Sequence, residues 1–138
     1  MKIILQKINS LDDFEYIRKL RNAPYVRSNS LNNEIVSKND HKNWLIKNKR
    51  NKFFILKIIK KNIGYIRINE KNYLSWALEK SYWGKIKFYE YLKKSTNSKK
   101  IKYSCIIFKD NVQSQIVALK AGFKFIKIKK KTICFQKK

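Results

Sequence analysis

The spacing of apolar side chains divides the start of the chain into a strand and a helix. Residues 2–8 alternate between apolar and polar positions, which predicts a first strand. Ser10 suits the N-cap of a following helix, and this helix is broken within residues 21–30, at Pro24. The apolar positions of the predicted helix recur every three residues: Leu11, Phe14, Ile17 and Leu20.

A second helix and three strands are predicted next. Ser37 and Asp40 form an S-x-x-D capping pattern, and the helix after them carries His41, Trp44 and Leu45 on one side. The three alternating segments that follow predict an antiparallel meander, with a turn at residues 60–62. These strands are residues 52–59, 63–69 and 72–78.

The second half of the chain continues with helices and strands in alternation. A helix is predicted to start near Gly84, with Phe88, Tyr91 and Leu92 on one face. Residues 110–122 predict another helix, capped by Asp110 or Asn111, with Gly122 at its C-terminal end. Its predicted apolar stripe is Val112, Ile116 and Leu119. The remaining predicted strands are residues 101–108, 123–128 and 131–135, after a loop at 97–100.

The predicted element order is β-α-α-β-β-β-α-β-α-β-β, which indicates one α/β (α+β) domain spanning residues 1–138. Its apolar runs are too short to span a bilayer, and its first residues lack the features of a signal peptide. A cytoplasmic protein without membrane contact is therefore expected. Cys105 and Cys134 fall within predicted strands without C-x-x-C spacing, so they read as small buried apolar residues. With a single histidine, no metal site is expected.

Basic residues dominate the charge of the chain. Its 34 basic side chains against 9 acidic ones give a formal net charge of +25. Of the basic residues 29 are lysine and 5 arginine, spread over the whole chain, and Lys, Asn and Ile all have A/T-rich codons. A nucleic-acid-binding domain more often concentrates Arg and Lys on one element. The charge therefore fits an anionic small ligand at least as well, and nucleic-acid binding is not favoured.

Several motifs resemble the GNAT superfamily of acyl-CoA-dependent N-acyltransferases, and the element order matches that fold over nearly the whole chain. The segment "LRNAPYVRSNSLNNEIVSKNDHKNWL" is similar to the branch that acetylates amino groups of nucleotide-linked sugars, as in the pseudaminic-acid pathway. The segments "FFILK", "IGYIRI" and "LSWALEKSYWGK" resemble its central strands and cofactor turn, and "DNVQSQIVALKAGF" its late helix. The resemblance implies a central mixed, mostly antiparallel sheet flanked by about four helices.

The same resemblance implies acetyl-CoA as cosubstrate, bound where a strand passes through a glycine turn into a helix. Backbone N–H groups and the positive end of the helix dipole favour an anion there. Gly84 would let a phosphate approach, although a plain turn glycine is the alternative. Lys85 and Lys87 are expected in the first turn of the helix. The cofactor-binding residues that this implies are Leu78, Glu79, Gly84, Lys85, Ile86, Lys87, Asn111 and Ser114.

The cofactor turn departs from the family pattern at two positions. Aligned without gaps, Ile86 and Phe88 occupy positions that the family fills with small residues, so they would crowd the pyrophosphate. A one-residue deletion after Lys85 instead places Ile86 on the aliphatic position. A non-catalytic GNAT-like module with a degenerate turn is therefore an alternative.

Four residues are candidates for proton transfer, which this reaction requires at the amine and at the thiolate. Glu79, at the end of the third meander strand, is the candidate base, with a solvated strand-end charge as the alternative. The family's acid tyrosine falls on Ala118, so Tyr82 is a candidate acid, as is Tyr103, without a ranking between them. His41 suits proton transfer near neutral pH, with capping or packing as alternatives.

The resemblance places the acceptor site near the predicted break between the first two helices. Arginine binds phosphate in bidentate fashion, and a nucleotide-linked sugar carries a diphosphate. Salt bridges to Asp12, Asp13 or Glu15 are the alternative for the arginines, and core packing is the alternative for the tryptophans. The candidate acceptor-binding residues are Arg21, Asn22, Arg27, Trp44, Arg67 and Trp76.

The activity that these features favour is N-acetyl transfer from acetyl-CoA to a primary amine, on a nucleotide-linked amino sugar. A GNAT acting on a protein N-terminus or another amine is an alternative, and a basic nucleic-acid-binding protein is another. Either a monomer or a homodimer is compatible with the sequence.

Overall fold

Seven strands form two antiparallel sheets in the computed structural model, which describes residues 2–8 and 10–138. The first sheet has the order β1-β2-β3-β4 and the second the order β5-β7-β6. The strands are β1 (Ile3–Lys7), β2 (Lys52–Ile58), β3 (Lys61–Ile68), β4 (Leu74–Leu78), β5 (Tyr103–Phe108), β6 (Lys124–Lys129) and β7 (Thr132–Lys137).

Five helices accompany the sheets, and they are α1 (Leu11–Asn22), α2 (Pro24–Arg27), α3 (Lys38–Lys47), α4 (Phe88–Ser95) and α5 (Val112–Lys120). The short α2 was predicted as a break, but Pro24 lies at its first position, where proline lacks only a hydrogen bond that the helix does not need. One turn of 3₁₀ helix covers Lys80–Tyr82. None of the helices in residues 2–8 and 10–138 combines the length and the apolar character that crossing a bilayer requires.

The predicted helix caps are confirmed by side-chain hydrogen bonds. Ser10 Oγ accepts from the backbone N–H of Asp13 at 3.2 Å, and Ser37 Oγ accepts from that of Asp40 at 3.1 Å. Each bond satisfies one of the N–H groups that the first turn of a helix leaves unpaired. Local polar chemistry therefore sets where α1 and α3 begin.

Several predicted boundaries were wrong, including the start of β5, at Tyr103 rather than residue 101, and the end of β7, at Lys137 rather than residue 135. The turn between β2 and β3 lies at residues 59–60 rather than 60–62, with Ile59 at a positive φ of 57°. β4 begins at Leu74 rather than residue 72, because Tyr73 forms an isolated bridge to Ser104. α4 begins at Phe88, later than Gly84, since Gly84 has a left-handed φ of 74° that a right-handed helix does not contain.

Apolar side chains fill both faces of the first sheet. The smaller cluster lies beneath α1, α2 and α3 and includes Ile55, Tyr65 and Ala77. The larger cluster joins the other face to α4, α5 and the second sheet. Its members with the least exposure include Leu56, Ile63, Ile66, Leu92, Cys105, Ala118, Ala121 and Phe123. Cys105 is therefore buried as predicted, and burial raises the pKa of its thiol to about 12.

The predicted apolar stripe of α5 was wrong. Val112, Ile116 and Leu119 are exposed, whereas Ala118 and Ala121 are fully buried. The small alanine side chains allow the helix to approach the second sheet closely. The predicted helix end is confirmed, because Gly122 has a φ of 98° and its N–H donates to the carbonyl of Leu119.

The two sheets meet at one point and then separate. Tyr73, just before β4, forms a parallel bridge with Ser104 of β5, and the Ser104 N–H donates to the Asn72 carbonyl at 3.0 Å. β4 is paired only with β3 in its sheet, so its other edge remains open beyond this bridge in the described residues. In the described residues the two sheets are therefore bridged at Tyr73 and Ser104 but are not paired along β4 toward its carboxyl end.

Candidate active site

The carboxyl end of β4 leads directly into the predicted cofactor turn. The Glu79 N–H donates to the Ile63 carbonyl at 2.8 Å, which extends the β3–β4 pairing to this residue. Trp83 Nε1 then donates to the Leu78 carbonyl at 2.8 Å and folds the turn back against the end of the strand. Gly84 follows in a left-handed conformation. The strand–turn–helix arrangement predicted from the sequence is therefore present.

Backbone donors without acceptors gather between this turn and the start of α4. The N–H groups of Gly84, Ile86 and Lys87 have no hydrogen-bond partner within residues 2–8 and 10–138. The first N–H groups of α4, at Phe88 and Tyr89, cannot bond within the helix. A Cβ added at Gly84 would meet no atom within 4 Å. The turn therefore presents several donors and open space, the geometry that an anionic group requires.

The two residues expected to crowd this turn point elsewhere. Phe88 is buried in the larger cluster, and Ile86 is half-buried against the same cluster. The gap-free alignment, which placed both side chains against the pyrophosphate, was therefore wrong about their direction. Lys85 and Lys87 were also misplaced, because Lys87 is the N-cap of α4 and Lys85 precedes it, so neither lies in the first turn.

Glu79 has a partner that the sequence did not reveal. The Tyr16 hydroxyl donates to Glu79 Oε2 at 2.7 Å, joining α1 to the end of β4. Burial raises the pKa of Tyr16 well above its ordinary value, and its hydrogen bond to Glu79 raises it further. Glu79 is half-buried, so it is a positioned carboxylate rather than a solvated strand-end charge. Tyr16 lies 63 residues away in the chain, and no local pattern distinguished it.

The candidate acid tyrosines have different surroundings. Tyr82 lies in the 3₁₀ turn directly after Glu79, with its ring packed against the larger cluster and Lys61 Nζ 5.6 Å from the ring centroid. Tyr103 is buried in β5. Ala118, at the position of the family tyrosine, is fully buried and carries no hydroxyl. Tyr82 is thus the tyrosine that adjoins both Glu79 and the turn in sequence.

His41 lies with the acceptor candidates. Its ring is parallel to that of Trp44, with centroids 6.2 Å apart. Burial lowers the pKa of His41 below its ordinary value, Arg18 lowers it further, and Glu15 partly opposes them. The charged groups acting on it thus come from α1 and β3 and do not include Glu79. The structure does not bring His41 and Glu79, two of the candidates for proton transfer, together.

Arg67 is held in a fixed position on β3. Its Nε donates to Asn51 Oδ1 at 2.9 Å, and its guanidinium lies 4.6 Å from the centroid of the Trp44 ring. Burial lowers the pKa of Arg67. Arg67 and Trp44 are therefore in contact on the α1–α3 side of the first sheet, and Arg21 lies on α1 between Leu20 and Ala23 of the same apolar cluster.

Asn22 and Arg27 make internal contacts instead. Asn22 donates to the Val36 carbonyl and accepts from the Val36 N–H, both at 2.8 Å. Arg27 donates to the carbonyls of Asn22 and Asn33 at 2.9 and 3.3 Å. These bonds hold the segment between α2 and α3 against α1, so a structural role explains both residues. The salt bridges to Asp12, Asp13 or Glu15 that were the alternative for Arg21, Arg27 and Arg67 are not formed in the described residues, where Arg18 pairs with Glu15 instead.

Three further candidates, Trp76, Asn111 and Ser114, make contacts that have structural roles. Trp76 was grouped with Trp44, but it packs against the larger cluster on the opposite face of the sheet, so the core-packing alternative describes it. Asn111 Oδ1 accepts from the Ser114 N–H at 3.2 Å and thereby caps α5. A cofactor contact from Asn111 or Ser114 remains a prediction.

Comparisons with known proteins connect this geometry to a fold. No family model matches the chain, and no curated protein matches it in sequence. Among solved structures, the ribosomal L7/L12 alpha-N-protein acetyltransferase RimL in complex with coenzyme A superposes with a TM-score of 0.81 at 13% identity, covering 99% of this chain and 94% of that one.

Two other structures are similar. Spermidine N-acetyltransferase from Vibrio cholerae, in complex with CoA and spermine, has a TM-score of 0.77 at 15% identity, with 97% of this chain and 92% of that chain covered. AAC(6')-Ib in complex with ribostamycin and coenzyme A has a TM-score of 0.76 at 13% identity, with 99% and 92% covered. At these identities the likeness concerns the fold, which confirms the predicted class: the chain has the α+β fold of the GNAT acetyltransferases.

Proposed function

We propose that this protein transfers an acetyl group from acetyl-CoA to a primary amine of a nucleotide-linked amino sugar. The observation that carries the proposal is the continuous arrangement at the end of β4. An open strand edge leads to a positioned carboxylate at Glu79 and then to a turn whose N–H groups at Gly84, Ile86 and Lys87 are free within the described chain. Solved structures of the same fold hold CoA.

The chemistry requires few side chains. The amine nitrogen attacks the thioester carbonyl carbon, the C–S bond breaks, and CoA leaves as a thiolate. Glu79 accepts the proton of the amine, directly or through one water, while its hydrogen bond from Tyr16 fixes the carboxylate. Tyr82 supplies the proton that the thiolate takes up. His41 belongs to the acceptor side in this scheme, because its neighbours are Trp44 and the arginines.

Charge favours an anionic acceptor over a polycationic one. The structural neighbours include proteins bound to spermine and to ribostamycin. This chain has a net charge of +25, which repels a polyamine and attracts a nucleotide diphosphate. The acceptor side also carries two arginines, Arg21 and Arg67, of which the second lies over an aromatic ring.

The decisive experiment is an acceptor screen with acetyl-CoA, using release of the CoA thiol as the readout. UDP-linked amino sugars, spermidine and an N-terminal peptide of a ribosomal protein are compared, each with the protein and with Glu79→Gln. We expect turnover with the amino sugars and a loss of about 100-fold or more in kcat for Glu79→Gln. Absence of thiol release with every acceptor, together with no acetyl-CoA binding by calorimetry, would favour the non-catalytic module.

A further inference from the structure

Two arginines without an ion-pair partner in the described residues, Arg21 and Arg67, border the smaller apolar cluster on the acceptor side of the first sheet. Arg67 is fixed through its Nε, and neither of its Nη groups has a protein acceptor within residues 2–8 and 10–138. Arg21 Nη1 is buried and likewise has no hydrogen-bond partner in that part of the chain, while Nη2 donates to the Asn32 carbonyl. A buried donor without a partner costs free energy unless something else supplies an acceptor.

Two carboxylates on the α1–α3 side of the first sheet, Glu15 and Glu79, are already engaged. The ion pair found in the described residues joins Arg18 to Glu15, and Glu79 accepts from Tyr16. Tyr65 of β3 is buried in the same cluster, and burial raises its pKa to about 12, so it stays neutral and supplies no negative charge at neutral pH. Neither Arg21 nor Arg67 therefore has an anionic partner within residues 2–8 and 10–138.

We propose that Arg21 and Arg67 form an oxyanion-binding subsite that holds the phosphate of the acceptor. Paired guanidinium groups present several N–H donors in a planar fork, the geometry that matches phosphate oxygens. Trp44 backs one guanidinium and fixes its plane, because the Arg67 group lies 4.6 Å from its ring centroid. The identity of the acceptor in this inference rests on the proposed function, whereas the binding of an oxyanion by the two arginines does not.

The register of the sheet sets the distance between this subsite and the base. Arg67 pairs with Ser75 of β4, and Glu79 follows on the same face four residues later. Four strand residues span about 13 Å. The Arg67 side chain also extends toward Asn51, before β2, and therefore away from the Glu79 end. The acceptor must carry its amine and its oxyanion well apart, which an α-amino acid does not do and a nucleotide-linked amino sugar does.

Calorimetry with inorganic pyrophosphate and with UDP tests the subsite. Saturating CoA is present throughout, so that the phosphate-binding turn at Gly84 is occupied. We expect Arg67→Gln and Arg21→Gln each to raise the dissociation constants of both ligands at least tenfold. The matched control is Arg50→Gln, which removes the same charge from an exposed arginine. Equal weakening in all three variants would overturn the subsite, because general attraction to a basic surface would then explain binding.

Two further arms complete the test. The imidazole signals of His41, the single histidine, report locally in NMR, and pyrophosphate should shift them in the protein and in Arg50→Gln but not in Arg67→Gln. Unchanged signals throughout would contradict the subsite. In a parallel titration glutarate replaces pyrophosphate, and comparing the two ligands shows whether the subsite binds carboxylates or phosphates. Should Arg67→Gln lower the melting temperature, Arg21→Gln decides the outcome.

Failure of the subsite and failure of the proposed function have different signatures. Arg67-dependent pyrophosphate binding without acetyl transfer to any acceptor would overturn the function and support the subsite. Acetyl transfer to UDP-linked amino sugars with the same KM in Arg67→Gln and in Arg50→Gln would do the reverse.

Discussion

Gly84 is required by its backbone conformation whether or not a cofactor binds. Its φ of 74° lies in the left-handed region, so a β-branched replacement would disturb folding and binding together. Asparagine tolerates this region and adds a side chain to space where a Cβ meets no atom within 4 Å. Gly84→Asn therefore separates a cofactor role from a turn role better than Gly84→Val does.

We expect Gly84→Asn to lower the free energy of unfolding by only about 1 kcal/mol. The same substitution should weaken the binding of acetyl-CoA at least tenfold. Urea unfolding and calorimetry measure the two effects. Gly122→Asn is the matched control, since Gly122 also has a positive φ, of 98°, but ends α5 on the side of Lys137. It should cost similar stability and leave affinity unchanged. Equal affinity in both variants would show that Gly84 is only a turn residue.

The face that α5 buries is the point at which the hydrophobic pattern misled. Larger side chains at Val112, Ile116 and Leu119 recur with helical spacing, yet the helix contacts the sheet through Ala118 and Ala121. Close packing of small residues outweighs burial of larger ones here, and spacing alone does not show which stripe faces inward.

This arrangement predicts opposite effects for neighbouring substitutions. Leu119→Gln should change the free energy of unfolding by less than about 0.5 kcal/mol, because the side chain is exposed. Ala118→Leu should lower it by about 1–3 kcal/mol, because no space exists for the added atoms in the cluster. Urea unfolding with both variants measures the difference. A larger loss for Leu119→Gln would mean that the stripe is covered in solution.

Local sequence patterns predicted most of the helices and strands. The features that they missed depend on contacts between residues far apart in the chain. Ser10, Ser37 and Gly122 act within one helical turn, so their roles were visible in the sequence. The separation of β4 from β5 depends on a single bridge at Tyr73, and the Tyr16–Glu79 bond joins residues on different elements. Neither leaves a local signal.

At the scale of the whole molecule, α2, which borders the proposed acceptor site, contacts the turn proposed to bind the cofactor. Tyr25 of α2 meets Trp83 edge to face, with ring centroids 5.4 Å apart, and Trp83 is bonded to the end of β4. The segment after α2 is tied back to α1 through Asn22 and Arg27. A ligand at either site therefore acts on structure that borders the other.

The net charge of +25 gives a final prediction, which tests whether the lysines have a role beyond composition. A basic molecule attracts an anionic acceptor and repels a cationic one, and salt screens both effects, with a Debye length of about 10 Å at 0.1 M. With CoA saturating, raising the NaCl concentration from about 25 to about 250 mM should weaken the binding of a UDP-linked amino sugar several-fold. The binding of spermidine should not become weaker. Calorimetric dissociation constants measure both trends. Because the two acceptors experience the same protein in the same buffer, each controls for general effects of salt on folding. Dissociation constants that change in parallel would contradict electrostatic selection and would leave codon composition as the explanation for the lysines.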